Sequence, residues 1–385
     1  MNMDRKTRRL NEWRKGNPQA PVRIELHPTD RCNLSCIFCW RNGDHEIQPD
    51  KELSEEKLLE IVDEAAEIGV KEWIVSGGGE PLIREKATMR VLQRIKEHGM
   101  WGQLTTNGTL IDSRTAKKIV KMGWDQVQIS LDAPESDIHN FLRQGDEAFK
   151  RAVRGSKLIN KWKERLDCDK PFLGYNTVIQ SKNYDKLEEM IELAYQAGSQ
   201  LVYFEPIYPG YNSDVRLKLN DEEREKMKSH IAKAKEKADE LGIDTNVEEY
   251  LERYSVDKTS FDDMVIEEVK NKENGFTNAP CFQPWYLMGI KGSGLAGCCS
   301  TFEEGEFIHD KSLKEVWFGD KFNRIRREML EKDLPDYCSK CSVVVLKSNQ
   351  KLRKSIRDYK ERKYRKHIKN VLKNFKDNII DLARF

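Results

Sequence analysis

Cys32, Cys36 and Cys39 lie close together in the segment CNLSCIFC. Thiolates are soft ligands that suit iron-sulfur clusters and zinc, so three of them on one loop can wrap a metal site. With no fourth cysteine nearby, a cubane cluster would keep one iron open for a substrate, whereas His27 or His45 would complete a closed zinc site. On spacing alone both readings stay open.

A second group comprises Cys281, Cys298, Cys299, Cys338 and Cys341. It holds a C-x2-C pair and enough thiolates for a four-ligand site, which by itself favours a structural zinc ribbon. Cys168, in KWKERLDCDKP, stands apart and reads as an ordinary thiol. The start, MNMDRKTRRLNEWRKG, lacks the apolar core of an export signal. A cytoplasmic setting is therefore expected, where clustered cysteines more often bind metal than form disulfides.

These groups need a scaffold, and the hydrophobic pattern describes one. VRIELH (22–27) reads as a buried strand running directly into PTDRCNLSCIFCW, so the first cysteines sit at a strand's C-terminal end. From Ser54 as N-cap, Leu58, Ile61, Val62, Ala65 and Ile68 recur at helical spacing; Gly69 stops the helix, and EWIV begins a strand ending in SGGGEP. The alternation continues with helices at about 84–98, 113–122, 146–162 and 183–197, and with strands at Gln103–Thr106, QVQISL, FLGYNTVI and LVYFEP. Six strands alternating with helices imply a parallel sheet with its chemistry at the strands' C-terminal ends. Beyond Pro209, residues 220–270 read as a charge-rich connecting helix, and no internal repeat is seen.

The C-x3-C-x2-C spacing, with Phe38 before the last cysteine, resembles the signature of the radical SAM superfamily, and further motifs agree in order. Gly77, Gly78, Gly79, Glu80 and Pro81 resemble the family's GGEP segment, whose backbone groups and acid are implied to hold the methionine amino group. Glycine lets a chain approach a ligand closely. Thr106-Asn107-Gly108 and Ser130-Leu131-Asp132 resemble segments near the cofactor's ribose and carboxylate, although a capping turn also explains Ser130 and Asp132. Arg143, in DIHNFLR, matches an arginine for that carboxylate; the alternative is a solvated helix charge. Asn176 and Glu205 would point into the barrel mouth, or else serve as structural hydrogen-bonders.

The resemblance implies an α/β fold, a partial (β/α)6 TIM-like barrel, with a 4Fe-4S cluster on Cys32, Cys36 and Cys39 that binds S-adenosylmethionine. The reduced cluster would pass one electron to the sulfonium, giving methionine and a 5′-deoxyadenosyl radical that takes a hydrogen atom from the substrate. An external one-electron reductant, flavodoxin- or ferredoxin-like, is the implied partner. No catalytic side chain is assigned.

The second group, within CFQPWYLMGIKGSGLAGCC, SLKEVW and LPDYCSKC, resembles the SPASM extension or its shortened twitch form. The count suits one auxiliary 4Fe-4S cluster on Cys281, Cys299, Cys338 and Cys341. Cys299 is preferred over Cys298 because Gly294 precedes it by the five positions of the twitch pattern. Such a cluster near the barrel mouth would accept an electron from a substrate radical or ligate the substrate, supporting net oxidation.

The expected division is a polar leader (1–19), a core barrel (20–215), a helical connector (216–278), an auxiliary-cluster domain (279–345) and a basic amphipathic tail (346–385). With 38% apolar and 34% charged residues the chain is globular, and no stretch approaches the roughly 20 apolar residues of a membrane span. The tail carries fourteen Lys or Arg against four Asp or Glu. Its stripe of Ile368, Val371, Leu372, Phe375 and Ile379 would pack on the barrel or meet an anionic membrane surface. Nucleic acid is not expected, because the tail has few aromatics to stack bases.

The substrate read from these features is a small molecule, sugar-like, aminocyclitol-like or lipid-linked. Maturation of a ribosomally made peptide is the alternative, disfavoured by the short segment before the first strand. A zinc-binding scaffold is the reading from another class.

Overall fold

The computed structural model describes residues 3–39, 49–207, 217–250, 269, 272–299, 302–340, 345 and 348–359. A helix, α1 (Met3–Arg14), precedes six strands. These are β1 (Arg23–Leu26), β2 (Glu72–Val75), β3 (Trp101–Thr106), β4 (Gln126–Ser130), β5 (Phe172–Ile179) and β6 (Leu201–Pro206). They pair in sequence order and all in parallel, as a partial TIM-like barrel does. Between them run α2 (Glu55–Glu67), α3 (Glu85–Glu97), α4 (Ser113–Lys121), α5 (Ser136–Arg143), α6 (Ala148–Leu166) and α7 (Leu187–Gln196).

Local chemistry sets these boundaries. The side chains of Ser54 and Asp112 accept the backbone N–H of Lys57 and Thr115, capping α2 and α4. Gly69, Gly99, Gly123 and Gly198 end four helices with positive φ, a conformation other residues enter at a cost. Register places Leu26, Val75, Leu104, Val127 and Leu173 in one row, all fully buried. Each such side chain stabilises the fold by roughly 1.5–3 kcal/mol. Because side chains alternate along a strand, the other face carries Glu25, Gln103, Thr105, Gln128, Ser130 and Asn176, all half-buried. The barrel interior is therefore polar.

Three features go beyond the sequence pattern. The connector helix, α8 (Asp221–Leu241), ends at Gly242 with φ +66 rather than running to 270, and β7 (Asp244–Thr245) then joins the sheet beside β6. The C-terminal cysteine-rich domain is joined to the barrel through its sheet. Its β8 (Leu287–Ile290) pairs in parallel with β1, and β9 (Leu295–Gly297) and β10 (Glu306–Phe307) extend the same sheet antiparallel to ten strands. Finally, the polar leader is α1, which packs with that segment and with the helical residues 348–359. Leu10, Phe282, Trp285, Leu352 and Ile356 share one core cluster, and Lys6 lies 4.0 Å above the Tyr286 ring.

The first turns of the basic tail are thus part of the packed body. Its apolar stripe from Ile368 to Ile379 lies outside the described residues. Among the described residues, no helix is long and apolar enough to cross a membrane.

Candidate functional site

The loop after β1 carries Cys32, Cys36 and Cys39 and is fastened on four sides. Toward β2, Thr29 O and Arg31 O accept the N–H groups of Gly79 (3.0 Å) and Glu80 (2.8 Å). A Cβ on Gly78 would stand 1.8 Å from Asp30 Oδ1, and one on Gly79 1.9 Å from Arg31 O. The missing side chains at Gly78 and Gly79 let the cysteine loop pack directly against this turn. Toward β3, Asn33 donates to Thr109 Oγ1 at 2.8 Å and accepts from Asn107 Nδ2 at 3.0 Å. Toward α5, Ile37 N donates to Leu142 O at 3.0 Å. On the fourth side the buried Glu52 carboxylate accepts from Thr29 Oγ1, from Asp30 N at 3.2 Å and from Arg31 Nη2 at 3.1 Å. Sequence reasoning missed Glu52, whose only signal was an acid two residues before an N-cap.

Burial pushes the Cys36 thiol up, and Arg143, with Nη1 3.8 Å from Cys36 Sγ, pulls it down. Arg143 also donates from Nε to Asp132 Oδ2 at 2.6 Å and stacks 5.1 Å from the Phe38 centroid. Burial alone would lower its pKa, but Asp132 and Cys36 outweigh that and hold it charged. The solvated-charge alternative for Arg143 is excluded, since the residue is 9% exposed. Asp132 is fully buried, and its other oxygen accepts Val178 N at 3.0 Å. It is occupied as an anchor for Arg143, not as a capping turn.

Glu80 is buried likewise. Its carboxylate accepts from Thr106 Oγ1 and Asn107 N, both at 2.7 Å, and from Leu82 N at 3.0 Å, while burial still raises its pKa. It braces the ends of β2 and β3 and caps the turn at Pro81. Asn107 Nδ2 reaches to 4.0 Å from Cys32 Sγ.

Ser130 and Asn176 are register partners on adjacent strands. The Asn176 Oδ1 and His27 Nδ1 atoms are buried with no hydrogen-bond partner among the described residues. Unpaired buried polar groups are costly, so these atoms fit a polar ligand at the strand ends. Glu205, on the same face of β6 as Tyr203, is half-buried.

Of the second cysteine group, Cys281 precedes β8 and Cys299 follows β9, at the open end of the β8–β9 hairpin. Since β8 runs parallel to β1, this end lies beside the start of β1, whereas Cys32 follows its end. The hairpin turn itself reaches forward: Gly294 has φ +79, and Leu53 N donates to Gly292 O at 2.9 Å, beside Glu52.

Cys281, Cys299 and Cys338 influence one another electrostatically. Burial pushes Cys281 up to about 11 and raises Cys338 further. Thiols held protonated by burial gain most by giving up those protons to a metal, so this donor set fits an iron-sulfur cluster. Cys298 lies in the barrel core cluster, feels Cys299, Cys281 and Cys338, and interacts with Arg326, whose guanidinium sits 4.4 Å from the Trp317 centroid. Two donors face Cys281 Sγ at 3.4 Å, Gln283 N and Asn349 Nδ2. Asn349 lies in the segment read as basic tail. Cys341 and His45 lie outside the described residues. Among the described residues, no three His, Cys, Asp or Glu side chains surround one ion-sized point.

Comparison with family profiles matches residues 26–194 to the Radical SAM superfamily and residues 281–342 to an iron-sulfur cluster-binding domain, SPASM. An AdoMet-dependent heme synthase of Methanosarcina barkeri is 29% identical over 180 residues, 47% of this chain and 49% of its own length. A PqqA peptide cyclase of Granulibacter bethesdensis is 31% identical over 183 residues, covering 47% and 46%. The chain thus spans about half the length of these curated relatives. Among solved structures, Streptococcus suis SuiB bound to precursor peptide SuiA superposes with a TM-score of 0.60 at 17% identity, covering 87% of this chain and 74% of that one. That likeness is one of fold.

Proposed function

We propose, since the chain belongs to the Radical SAM superfamily and carries a C-terminal SPASM iron-sulfur cluster-binding domain, that it modifies a peptide by radical abstraction of a hydrogen atom at the mouth of the barrel. When bound, a 4Fe-4S cluster with S-adenosylmethionine supplies the abstracting 5′-deoxyadenosyl radical, and auxiliary iron-sulfur chemistry supplies a place for a leftover electron.

In this reading Cys32, Cys36 and Cys39 hold the first cluster, on a loop that Glu52, Gly79, Glu80 and Asn33 keep in one shape. Arg143 sets a fixed positive charge beside Cys36, anchored by Asp132, and offers its outer nitrogen to the cofactor carboxylate. Gly77 and Gly78 offer backbone groups to the amino end, with Pro81 and Glu80 fixing that turn. Phe38, Asn107 and Ser130 border the same space. Cys281, Cys299, Cys338 and Cys341 hold an auxiliary cluster.

The observation that carries the substrate class is the inner barrel face. Gln103, Gln128 and Asn176 line it with side-chain amides, Gln103 donates to Gln128 at 2.7 Å, and Asn176 Oδ1 is buried with no partner among the described residues. Amide groups pair well with the N–H and C=O of an extended peptide. The PqqA peptide cyclase relative supports the same class. The heme synthase relative favours a second reading, a small molecule, sugar-like, aminocyclitol-like or lipid-linked.

The test supplies the reconstituted enzyme, S-adenosylmethionine and dithionite with short peptides encoded near its gene. A peptide that loses hydrogen by mass spectrometry while 5′-deoxyadenosine rises supports the proposal. Stimulation by a small-molecule extract alone moves it to the second reading.

A further inference from the structure

The outer face of α6 is unusually basic, with seven Lys or Arg against one acid over its length. Lys150 and Arg151 are tied to Glu147, and Arg165 lies 5.3 Å from the Trp162 centroid. Arg154, Lys157 and Lys161 are exposed and make no ion pair among the described residues. Their spacing puts them on one helix face, where they rim a groove of about 390 Å³ floored by Phe149, Val153 and Leu158.

The floor of this groove connects inward. The Phe149 ring meets His139 edge-on at 5.9 Å. His139 Nδ1 accepts Asp132 N at 3.1 Å, Asp132 binds Arg143 at 2.6 Å, and Arg143 Nη1 stands 3.8 Å from Cys36 Sγ. Four side chains in contact thus separate the groove from the first cysteine loop. Phe141, 53% exposed, stands on α5 two residues before Arg143.

We propose that this groove is the docking surface for an acidic one-electron carrier protein that reduces the site at Cys32, Cys36 and Cys39. The inference rests on the radical reading above, which requires a reductant. An apolar floor inside a basic rim complements a partner whose redox group is apolar and whose surround is acidic, and such complementarity raises the encounter rate. A nucleic acid is less well served, because Trp162 is covered by Lys117 and Arg165 and offers no free stacking face. The carrier is oxidised by one electron and the site reduced by one, and no bond is made or broken.

The experiment uses the anaerobically reconstituted full chain and measures 5′-deoxyadenosine with dithionite or with chemically reduced flavodoxin. The proteins are the wild type, the triple variant Arg154→Glu/Lys157→Glu/Lys161→Glu, and Lys233→Glu on the distant α8. The dithionite rate should be equal in all three. The flavodoxin rate should fall about tenfold or more in the triple variant alone, with its salt dependence lost. Equal flavodoxin rates in wild type and triple variant would overturn the docking surface while leaving the radical reading intact; no nucleoside from wild type with dithionite would sink both. Should the triple variant misfold, carbodiimide cross-linking of wild type to flavodoxin decides. Cross-links at Lys157 and Lys161 support the surface, and cross-links confined to other faces overturn it.

Discussion

Asp132 accepts a 2.6 Å hydrogen bond from Arg143 Nε, with the carboxylate fully buried and the guanidinium nearly so. The pair ties the end of β4 to α5 and aims Arg143 at Cys36. Asp132 thus acts through Arg143.

Replacing Asp132 with Asn should leave Arg143 charged and buried without a counter-ion. Removing one partner of a buried pair costs about 3–5 kcal/mol. Urea denaturation should show that loss, and equilibrium dialysis should show weaker S-adenosylmethionine binding. A change under 1 kcal/mol with unchanged binding would mean that the pair positions nothing.

Glu52 predicts a more local defect. Glu52→Ala removes the acceptor shared by Thr29, Asp30 and Arg31, so the cysteine loop should lose its shape while the C-terminal site keeps its own. Iron and sulfide analysis should find loading reduced at the first site only, with far-ultraviolet circular dichroism unchanged. Full loading would show that the other three attachments suffice.

Asn349 Nδ2 donates to Cys281 Sγ at 3.4 Å, and hydrogen bonds to a ligating sulfur raise a cluster's reduction potential. If Cys281 is a cluster ligand, Asn349→Leu should shift the auxiliary potential downward in an EPR-monitored titration and leave the first site's potential alone. An unmoved auxiliary potential would separate Asn349 from that site.

The sequence made the barrel legible because each strand–helix unit carries its own signals. The caps at Ser54 and Asp112 and the positive-φ stops at Gly69, Gly99, Gly123 and Gly198 are local. Two features were not local. The leader looked like solvated chain because α1 is mostly charged, yet Lys6 is buried over Tyr286 and Leu10 enters a core assembled from distant segments. The hairpin β8–β9 was hidden because its strands are only four and three residues long, and its pairing partner, β1, lies more than 250 residues earlier. The cysteines themselves stood out by spacing, whereas Glu52 and Asn349 are recognisable only once the loops they touch are in place.

His139 gives a pH prediction. Burial lowers its pKa from 6.5 to about 4, with Asp132 opposing the shift. Between those values the unfolded chain holds a proton on His139 that the folded chain does not, so stability rises with pH across this window. It is complete above about pH 6.5 and is lost as pH falls toward 4, a contribution of roughly 3 kcal/mol. His139→Gln, whose carbonyl can still accept Asp132 N–H, should flatten the slope of urea stability between pH 6.5 and 4. An unchanged slope would assign the acid sensitivity to other groups.

Radical chemistry at the first cysteine group is measured directly as 5′-deoxyadenosine formed from S-adenosylmethionine and dithionite after anaerobic reconstitution with iron and sulfide. The wild type should give nucleoside and Cys32→Ala/Cys36→Ala/Cys39→Ala none, with about eight irons per wild-type chain from two 4Fe-4S clusters. Zinc in place of iron, with no nucleoside from either protein, would contradict radical chemistry there.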